Sequence, residues 1–419
     1  MSSCPGSIPF PIPLNIPQPS QNCNTQQDLS IIPDSPYNGT IYNASFSIRP
    51  LSSLKPTPPE IIKGLSDINI PETFSWGENG GNMIEDGSRN QKACGSCWAF
   101  AVASVIGDRY ALKYNIAAPK PSVTNLISCI GPKVPGVVTN TQPFSTSCRC
   151  GNDPHQIPKY ITQDNAIRSE ACMPYSMVSV NNSDIQYSLM VAPNCPNWDN
   201  DCCINCCGDN QESKKRFYVL PNTTEPVYVC IPSLLGQCNS IDLQKTIIAI
   251  KQEVMYAPVV TTILVPQNFM SWWTNQQNNN NSNRRLLSED IFIPTKPFVG
   301  GHAICITGWG NKNGIDYWEI RNSWGYPGYC YFAMSTSTNK ENWCGIDIPI
   351  IENDTVSGGV VKFEVGDLIP SKDNYNWEKG TGMKSIGEGW KGKPYKFNYW
   401  IIVILIIIVV IIVSIIIII

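Results

Sequence analysis

The feature that most constrains how this chain can fold is its cysteine content, 18 residues in 419. Such a chain is expected to fold around disulfide bonds in an oxidising compartment, because the cytosol keeps thiols reduced. Five of the cysteines crowd into residues 195–207. We predict disulfides there, with zinc binding as the alternative, and expect neither a metal nor another cofactor. The net charge of −3 gives no electrostatic case for nucleic acid binding.

The most specific pattern is the motif QKACGSCW at residues 91–98, which opens an alanine-rich run without proline. That run, residues 97–114, predicts a helix. A cysteine in the first turn of a helix has a lowered thiol pKa, because the helix N-terminus carries partial positive charge. Cys97 is therefore the candidate nucleophile. Its own amide and the side chain of Gln91 are candidate donors to an oxyanion.

Histidine is scarce, which narrows the choice of a catalytic base. The chain contains only His155 and His302, and we interpret His155 as structural or surface-exposed. His302 lies in GGHAICITGWG, and Asn322 follows in RNSWG, where its carbonyl can orient the imidazole. The indole of Trp324 can shield that bond from water. The residues predict a Cys-His-Asn triad.

The motifs QxxCGSCW, GHA…GWG and RNSWG occur in the order found in papain-like cysteine proteases, and the chain resembles that family over about residues 70–350. The resemblance implies a two-lobed α+β fold, with a helical left domain, a β-barrel-like right domain and the active-site cleft between them. It also implies roles for Trp324 and Trp98 as active-site support. The implied substrate-pocket residues are Gly301, Ala303 and Pro349. The disulfide candidates are Cys94, Cys129, Cys148, Cys150 and Cys172, with Cys94 bridged to Cys148 or Cys150, and Cys305 is the predicted free cysteine.

The predicted organisation has four parts. Residues 1–66 are proline-rich and form a short N-terminal segment or propeptide. The catalytic domain covers 67–350, with a helical lobe at about 80–195, a Cys-rich insertion at about 195–238 and a β lobe at about 239–350. A juxtamembrane tail covers 351–398. Residues 400–419 are apolar except Ser414 and are long enough to cross a bilayer.

That apolar end has two interpretations, a C-terminal transmembrane helix and a cleaved GPI-type signal. With the cysteines and the N-x-[ST] patterns, such as the one at Asn222, it predicts a glycoprotein of the secretory or endolysosomal pathway. The protein would be anchored at the lysosomal or cell-surface membrane.

The predicted function is cysteine-type peptidase activity on proteins or peptides, through a Cys97 thiolate, His302 and an acyl-enzyme. Residues near 150–175 resemble parts of the exopeptidases cathepsin X and cathepsin C. However, only Lys92 and Ala93 separate Gln91 from Cys94, and no histidine is available for a cleft-blocking loop. We therefore expect an endopeptidase. The alternatives are a cathepsin X-like or cathepsin C-like exopeptidase and a membrane-displayed inactive homologue used for binding.

Overall fold

The computed structural model describes the parts of the chain that surround the three motifs. The described residues are 48–50, 70–91, 95–134, 151–175, 177–178, 189–190, 214–227, 240–279, 290–325, 327–352 and 355–381.

Three long helices and fifteen strands are found in these ranges. The helices are α1 Cys97–Tyr114, α2 Ser240–Tyr256 and α3 Gln267–Asn279, with short helical turns at Trp76–Asn79, Gly81–Met83, Val123–Asn125, Leu126–Ile130, Gly131–Lys133, Ile157–Tyr160, Ser335–Ser337, Lys340–Asn342 and Lys372–Asn374. The strands are β1 Ile48–Pro50, β2 Phe74–Ser75, β3 Ile167–Arg168, β4 Met177–Val178, β5 Leu189–Met190, β6 Arg216–Phe217, β7 Glu225–Val227, β8 Val259–Pro266, β9 Ile291–Phe292, β10 Phe298–Lys312, β11 Ile315–Arg321, β12 Tyr329–Ala333, β13 Ile350–Glu352, β14 Thr355–Ser357 and β15 Gly359–Lys362.

Helix α1 is the centre of the helical lobe, and its predicted bounds are confirmed. Every residue from Cys97 to Ala111 is buried, so the helix is apolar on all sides rather than amphipathic. Small residues let other segments approach it closely. A Cβ at Gly107 would lie 2.3 Å from the Pro119 carbonyl oxygen. The helix ends at Asn115, which adopts a left-handed conformation with φ 50°.

The β lobe is an eight-stranded sheet with the order β7–β15–β8–β10–β11–β12–β9, and β2 pairs with the end of β10. Its longest strand, β10, pairs antiparallel with β8 on one side and β11 on the other. The register sets His302 opposite Ile263 and Cys305 opposite Arg321. Helix α1 packs against β10, so the start of the helix and the histidine strand meet where the lobes join. The predicted α+β class is confirmed.

The C-terminal part of the domain differs from the predicted organisation. We assigned 351–398 to a tail, but β15 lies inside the main sheet, between β7 and β8. Residues 363–381, called the C-terminal strap below, then cross to the helical lobe. There Gly366 N–H donates to Tyr218 O over 3.0 Å, and Gly380 N–H donates to Asn115 O over 3.1 Å. Strand β7 also belongs to the sheet, although its residues fall within the predicted Cys-rich insertion.

Two further sequence predictions concern the Asn-rich stretch and the membrane-spanning segment. The low-complexity, Asn/Gln-rich composition of residues 275–283 predicts a loop, yet the first of these residues continue helix α3 to Asn279. No helix in the described ranges is long and apolar enough to cross a bilayer. The apolar residues 400–419, the Cys-rich run 195–207 and residues 1–47 lie outside the described part, so those predictions stay untested.

Candidate active site

Cys97 occupies the first position of α1, and only 3% of its surface is exposed. Its thiol is free rather than disulfide-bonded. Burial raises the pKa of this thiol to about 12, while hydrogen bonds from the backbone of Ala303, Trp98 and Cys97 itself oppose the rise. The Cys97 and Trp98 amides are available to the sulfur because a first helical turn has no intrahelical partners for its N–H groups, whereas Ala303 reaches the sulfur from β10.

His302 is fixed on the other side of the cleft by Asn322. The Nε2 of His302 lies 2.7 Å from the Oδ1 of Asn322, and this oxygen also accepts from Ser323 N–H at 2.8 Å. Since a carbonyl oxygen only accepts, Nε2 carries the proton, and Nδ1 of the neutral ring is left as the base. Trp324 stacks on the imidazole at a centroid distance of 4.5 Å and an interplanar angle of 27°.

The environment of His302 disfavours a positive charge on the ring. The imidazole is 2% exposed. Burial lowers the pKa of His302 to about 4, and the hydrogen bond with Asn322 works against that shift. Burial thus opposes a charge on the thiol and a charge on the imidazole taken singly. Transfer of one proton from sulfur to Nδ1 creates both charges together, so each stabilises the other and the cleft gains no net charge.

Ala303 links the two groups. It is the residue directly after His302, and its backbone hydrogen bond with Cys97 brings β10 to the sulfur. Gly301, on the other side of His302, pairs with Leu264 of β8. The small residues on either side of the histidine therefore lie at the junction of α1 with the sheet.

Gln91 is held beside the Asn322 segment by its neighbour Ser323. Gln91 N–H donates to Ser323 O at 2.8 Å, and Ser323 Oγ donates to Gln91 Oε1 at 2.6 Å. Because the amide oxygen of Gln91 accepts this bond, the NH₂ group is the part of the side chain that can act as a donor. The Gln91 carbonyl in turn accepts from Tyr175 Oη at 2.6 Å.

Ser323 and Tyr175 are the functional candidates that the sequence analysis missed. Tyr175 Oη donates to the Gln91 carbonyl and also lies 3.1 Å from Ser96 Oγ. One hydroxyl therefore contacts Gln91, which precedes the CGSCW motif, and Ser96 within it. Ser323 lies inside the RNSWG motif, next to Asn322, so adjacency to a predicted functional residue was the available signal for it. Tyr175 has no such neighbour in the sequence.

The remaining predicted residues are placed as follows. Trp98 is fully buried in α1, and Pro349 is buried just before β13. Cys129 and Cys172 are disulfide-bonded, whereas Cys94, Cys148 and Cys150 lie outside the described residues. Cys305 is free and buried, as are Cys330 and Cys344.

His155 lies apart from this constellation. It is buried, its Nε2 is 3.1 Å from the carbonyl oxygen of Gly359, and its Nδ1 is 3.3 Å from Asp153 Oδ1. These contacts agree with the structural interpretation and leave His302 as the histidine beside Cys97. Among the described residues, no group of three or more His, Cys, Asp or Glu side chains could hold a metal ion.

A free buried cysteine that opens a helix, facing a histidine strand with an asparagine-bonded imidazole, defines a thiol-dependent hydrolase of the two-lobed α+β class. Comparison with known families identifies it further: the model of the papain family of cysteine proteases matches residues 70–233 and 236–352. The chain belongs to that family.

The chain is also similar, at low identity, to proteins with cathepsin B-like names. The chain is 26% identical over 261 residues to cathepsin B-like cysteine proteinase 3 of Caenorhabditis elegans, covering 60% of this chain and 58% of the relative. It is 26% identical over 318 residues to cathepsin B-like cysteine proteinase 4 of the same organism, covering 72% and 79%. The structure of procathepsin B S9 from Trypanosoma congolense is 20% identical, with a TM-score of 0.44, covering 77% of this chain and 87% of that one.

Proposed function

We propose that this chain hydrolyses peptide bonds with Cys97 as the nucleophile. The observation that carries the proposal is the buried bond from His302 Nε2 to Asn322 Oδ1 at 2.7 Å, on a strand whose next residue bonds to the Cys97 sulfur. This arrangement fixes the tautomer of the imidazole and leaves Nδ1 as its base.

The reaction proceeds in two balanced stages. His302 Nδ1 takes the proton from the Cys97 thiol, and the sulfur attacks the substrate carbonyl carbon. The oxyanion is stabilised by the Gln91 amide and the Cys97 backbone N–H. His302 returns the proton to the leaving amine as the C–N bond breaks, giving a thioester. Water, deprotonated by His302, then attacks the thioester. The C–S bond breaks, His302 returns the proton to the Cys97 sulfur, and the acid product leaves.

Endopeptidase action is the proposed mode. His155 is buried against Gly359 and Asp153, so it does not form a histidine-bearing loop across the cleft. Only Lys92 and Ala93 separate Gln91 from Cys94, so no insertion narrows that side. An exopeptidase needs one of these obstructions, or another like them, to bind a chain terminus.

Hydrolysis of quenched fluorescent peptides tests both parts of the proposal. One peptide is blocked at both termini, and matched peptides have a free N-terminus or a free C-terminus. We expect cleavage of the blocked peptide, and none of any peptide by the Cys97→Ser variant. Cleavage of the free-ended peptides alone would reveal an exopeptidase. Turnover retained by Cys97→Ser would overturn the assignment of the nucleophile.

We further infer that the N-terminal segment is a propeptide. Its described residues, Ile48–Pro50, form an antiparallel strand on β14, in a small sheet completed by β13. The N-terminal sequence of the active enzyme tests this. A start near residue 67 is expected, and full activity of a chain that keeps residues 1–66 would contradict it.

We also propose that the protein acts in the secretory or endolysosomal pathway, anchored through residues 400–419. The disulfides of Cys129 and Cys172 and the exposed Asn222 of an N-x-T pattern support this route. Expressed in eukaryotic cells, the protein is expected to partition with membranes and to shift in mass on deglycosylation. A chain that carries no glycan and is washed from membranes by high salt would contradict the proposal.

A further inference from the structure

Trp324 is packed between the imidazole and an aromatic pair from helix α3. Its indole stacks on His302 at 4.5 Å. Trp273 meets it at 6.0 Å with the rings perpendicular, and Phe269 meets it at 5.3 Å with a tilt of 44°. Trp324 keeps 8% of its surface exposed, whereas Phe269 and Trp273 are fully buried. The support for the catalytic indole thus comes from α3, which the sequence analysis gave no role.

The sequence of α3 explains why these two side chains reach the same place. Phe269 and Trp273 are four residues apart, so they lie on one face of the helix. The helix is anchored at its start, where Gln267 N–H donates to Pro297 O at 3.0 Å. Trp272, the adjacent residue, is half-buried and packs instead on Phe269 at 6.1 Å and on Phe292 at 5.3 Å. The helix therefore offers two neighbouring tryptophans, of which Trp273 is the one with a close ring contact to Trp324.

We propose that Trp273 is a positioning residue for the hydrolysis proposed above, acting on His302 through Trp324. Perpendicular packing of Trp273 restricts rotation of the Trp324 indole, and perpendicular or tilted aromatic pairs contribute more than their buried area alone. A fixed indole keeps the plane of His302 aligned for the Asn322 bond and keeps water from that bond. This role depends on the proposed function only for its kinetic consequence, since the ring contacts are present regardless.

The competing explanation is that Trp273 only fills space in the core. The environment of its indole N–H suggests a substitution that distinguishes a positioning role from a packing role. This group is buried and has no hydrogen-bond partner among the described residues. A phenylalanine removes that unsatisfied donor, so Trp273→Phe forfeits contact with Trp324 without leaving a polar group buried. A residue needed only for packing would show its effect in stability, whereas a positioning residue shows it in kcat.

The experiment compares Trp273→Phe with its neighbour Trp272→Phe in the full chain. For Trp273→Phe we expect kcat to fall about two- to tenfold, the range of one aromatic contact, with KM within about twofold of wild type. The acid limb of the pH–rate profile should shift as well, because it reports the protonation of His302, whose position depends on the indole. For Trp272→Phe we expect wild-type kcat and pH profile. A double-mutant cycle with Trp324→Phe should show that the Trp273→Phe effect is largely lost when Trp324 is absent.

A second readout keeps the inference testable without turnover. In a Cys97→Ser background, the ring-proton resonances of His302 report on the stacked indole. We expect them to move in Trp273→Phe and to stay in place in Trp272→Phe. Equal effects of the two substitutions, or a fall in kcat that follows a loss of unfolding free energy, would overturn the inference. Absence of hydrolysis by the wild type, with the resonance shift present, would instead overturn the proposed function alone.

Discussion

The Nε2 of His302 and the Oδ1 of Asn322 lie 2.7 Å apart in a buried bond next to the Trp324 indole. The bond has two effects that follow from its geometry. It assigns the ring proton to Nε2, which frees Nδ1 for the thiol. It also raises the pKa of His302 against the burial that lowers it.

Removing the acceptor should therefore slow catalysis. Asn322→Ala leaves the Nε2 proton buried without a partner, a loss of about 1–3 kcal/mol, so we expect kcat/KM to fall about 5- to 150-fold. Steady-state hydrolysis of a peptide blocked at both termini measures this change in kcat/KM. Asn311→Ala is the matched control, because that side chain bonds to Asp316 at the exposed turn after β10. Equal rates for Asn322→Ala and wild type would contradict the role of Asn322.

The burial of His302 predicts how stability depends on pH when no thiolate is present. In Cys97→Ser, the His302 pKa of about 4 lies below its ordinary value of 6.5. Between these values the unfolded chain binds the extra proton, so this contribution to stability is complete above about pH 6.5 and is lost as pH falls toward 4. We expect the free energy of unfolding to drop by about 2–3 kcal/mol from pH 7.5 to 4.5 through this group.

Urea unfolding of Cys97→Ser and Cys97→Ser/His302→Gln at both pH values isolates that contribution. The pH effect should be smaller in the double variant by the stated amount. With only two histidines in the chain, NMR can also follow His302 directly. An imidazole in Cys97→Ser that titrates at pH 6 or above would refute the assigned environment.

Tyr175 should matter because its hydroxyl bridges the carbonyl of Gln91 and the hydroxyl of Ser96. In Tyr175→Phe we expect kcat to fall about two- to tenfold, the value of one hydrogen bond, because Gln91 is less well placed when the oxyanion forms. Tyr114→Phe is the control. It loses comparable bonds to Gly366 O and Asp367 at the far end of α1, and should keep its kcat. A kcat that falls equally in both variants would show a general packing effect.

The junction of the lobes is predicted to depend on Arg109. This buried residue of α1 lies 2.7 Å from Glu253 of α2 and 3.5 Å from Glu364 of the C-terminal strap. Although burial opposes the Glu253 charge, Arg109 and Lys362 lower the pKa of that carboxyl. Arg109→Met removes the nearer cation of the buried carboxylate, and Lys362 remains 3.6 Å from it. We therefore expect a loss of about 3 kcal/mol of unfolding free energy, the low end for a broken buried pair.

Chemical denaturation in the Cys97→Ser background measures that loss without autolysis. Arg109→Met/Glu253→Met is the informative partner variant. We expect it to recover much of the stability, because replacing both members of a buried ion pair with apolar residues is often neutral. If the loss of unfolding free energy in the double variant equals the sum of the losses in Arg109→Met and Glu253→Met, the pair is not coupled.

The sequence analysis names residues that the structure brings together, because their chemistry is concentrated in short motifs. The bounds of α1 followed from an alanine-rich run with no proline, and the scarcity of histidine left few choices for the base. Contacts between segments far apart along the chain could not be predicted from the sequence. Nothing in the local pattern at Tyr175 or Ser323 says that each bonds to Gln91, since those partners are 84 and 232 residues away along the chain.

The C-terminal strap and α3 were missed for a different reason. Just before the strap, residues 359–362 contain only two β-branched residues, Val360 and Val361. This short pattern does not reveal that β7 and β8 leave a place between them for a strand. In α3, the Asn/Gln-rich end suggests a loop, but the buried Phe269 and Trp273 stabilise the helix through tertiary packing. Both features depend on contacts that form only after the chain has folded.

The most direct test of the central claim is covalent labelling by an epoxysuccinyl inhibitor, followed by peptide mapping. Cys305 is an internal control, because it is also free and buried, and burial raises its pKa to about 11. We predict stoichiometric modification of Cys97 alone, a rate reduced at least about tenfold in His302→Ala, and wild-type labelling in Cys305→Ser. Labelling that is unchanged in His302→Ala, or that falls on Cys305 instead of Cys97, would contradict the account.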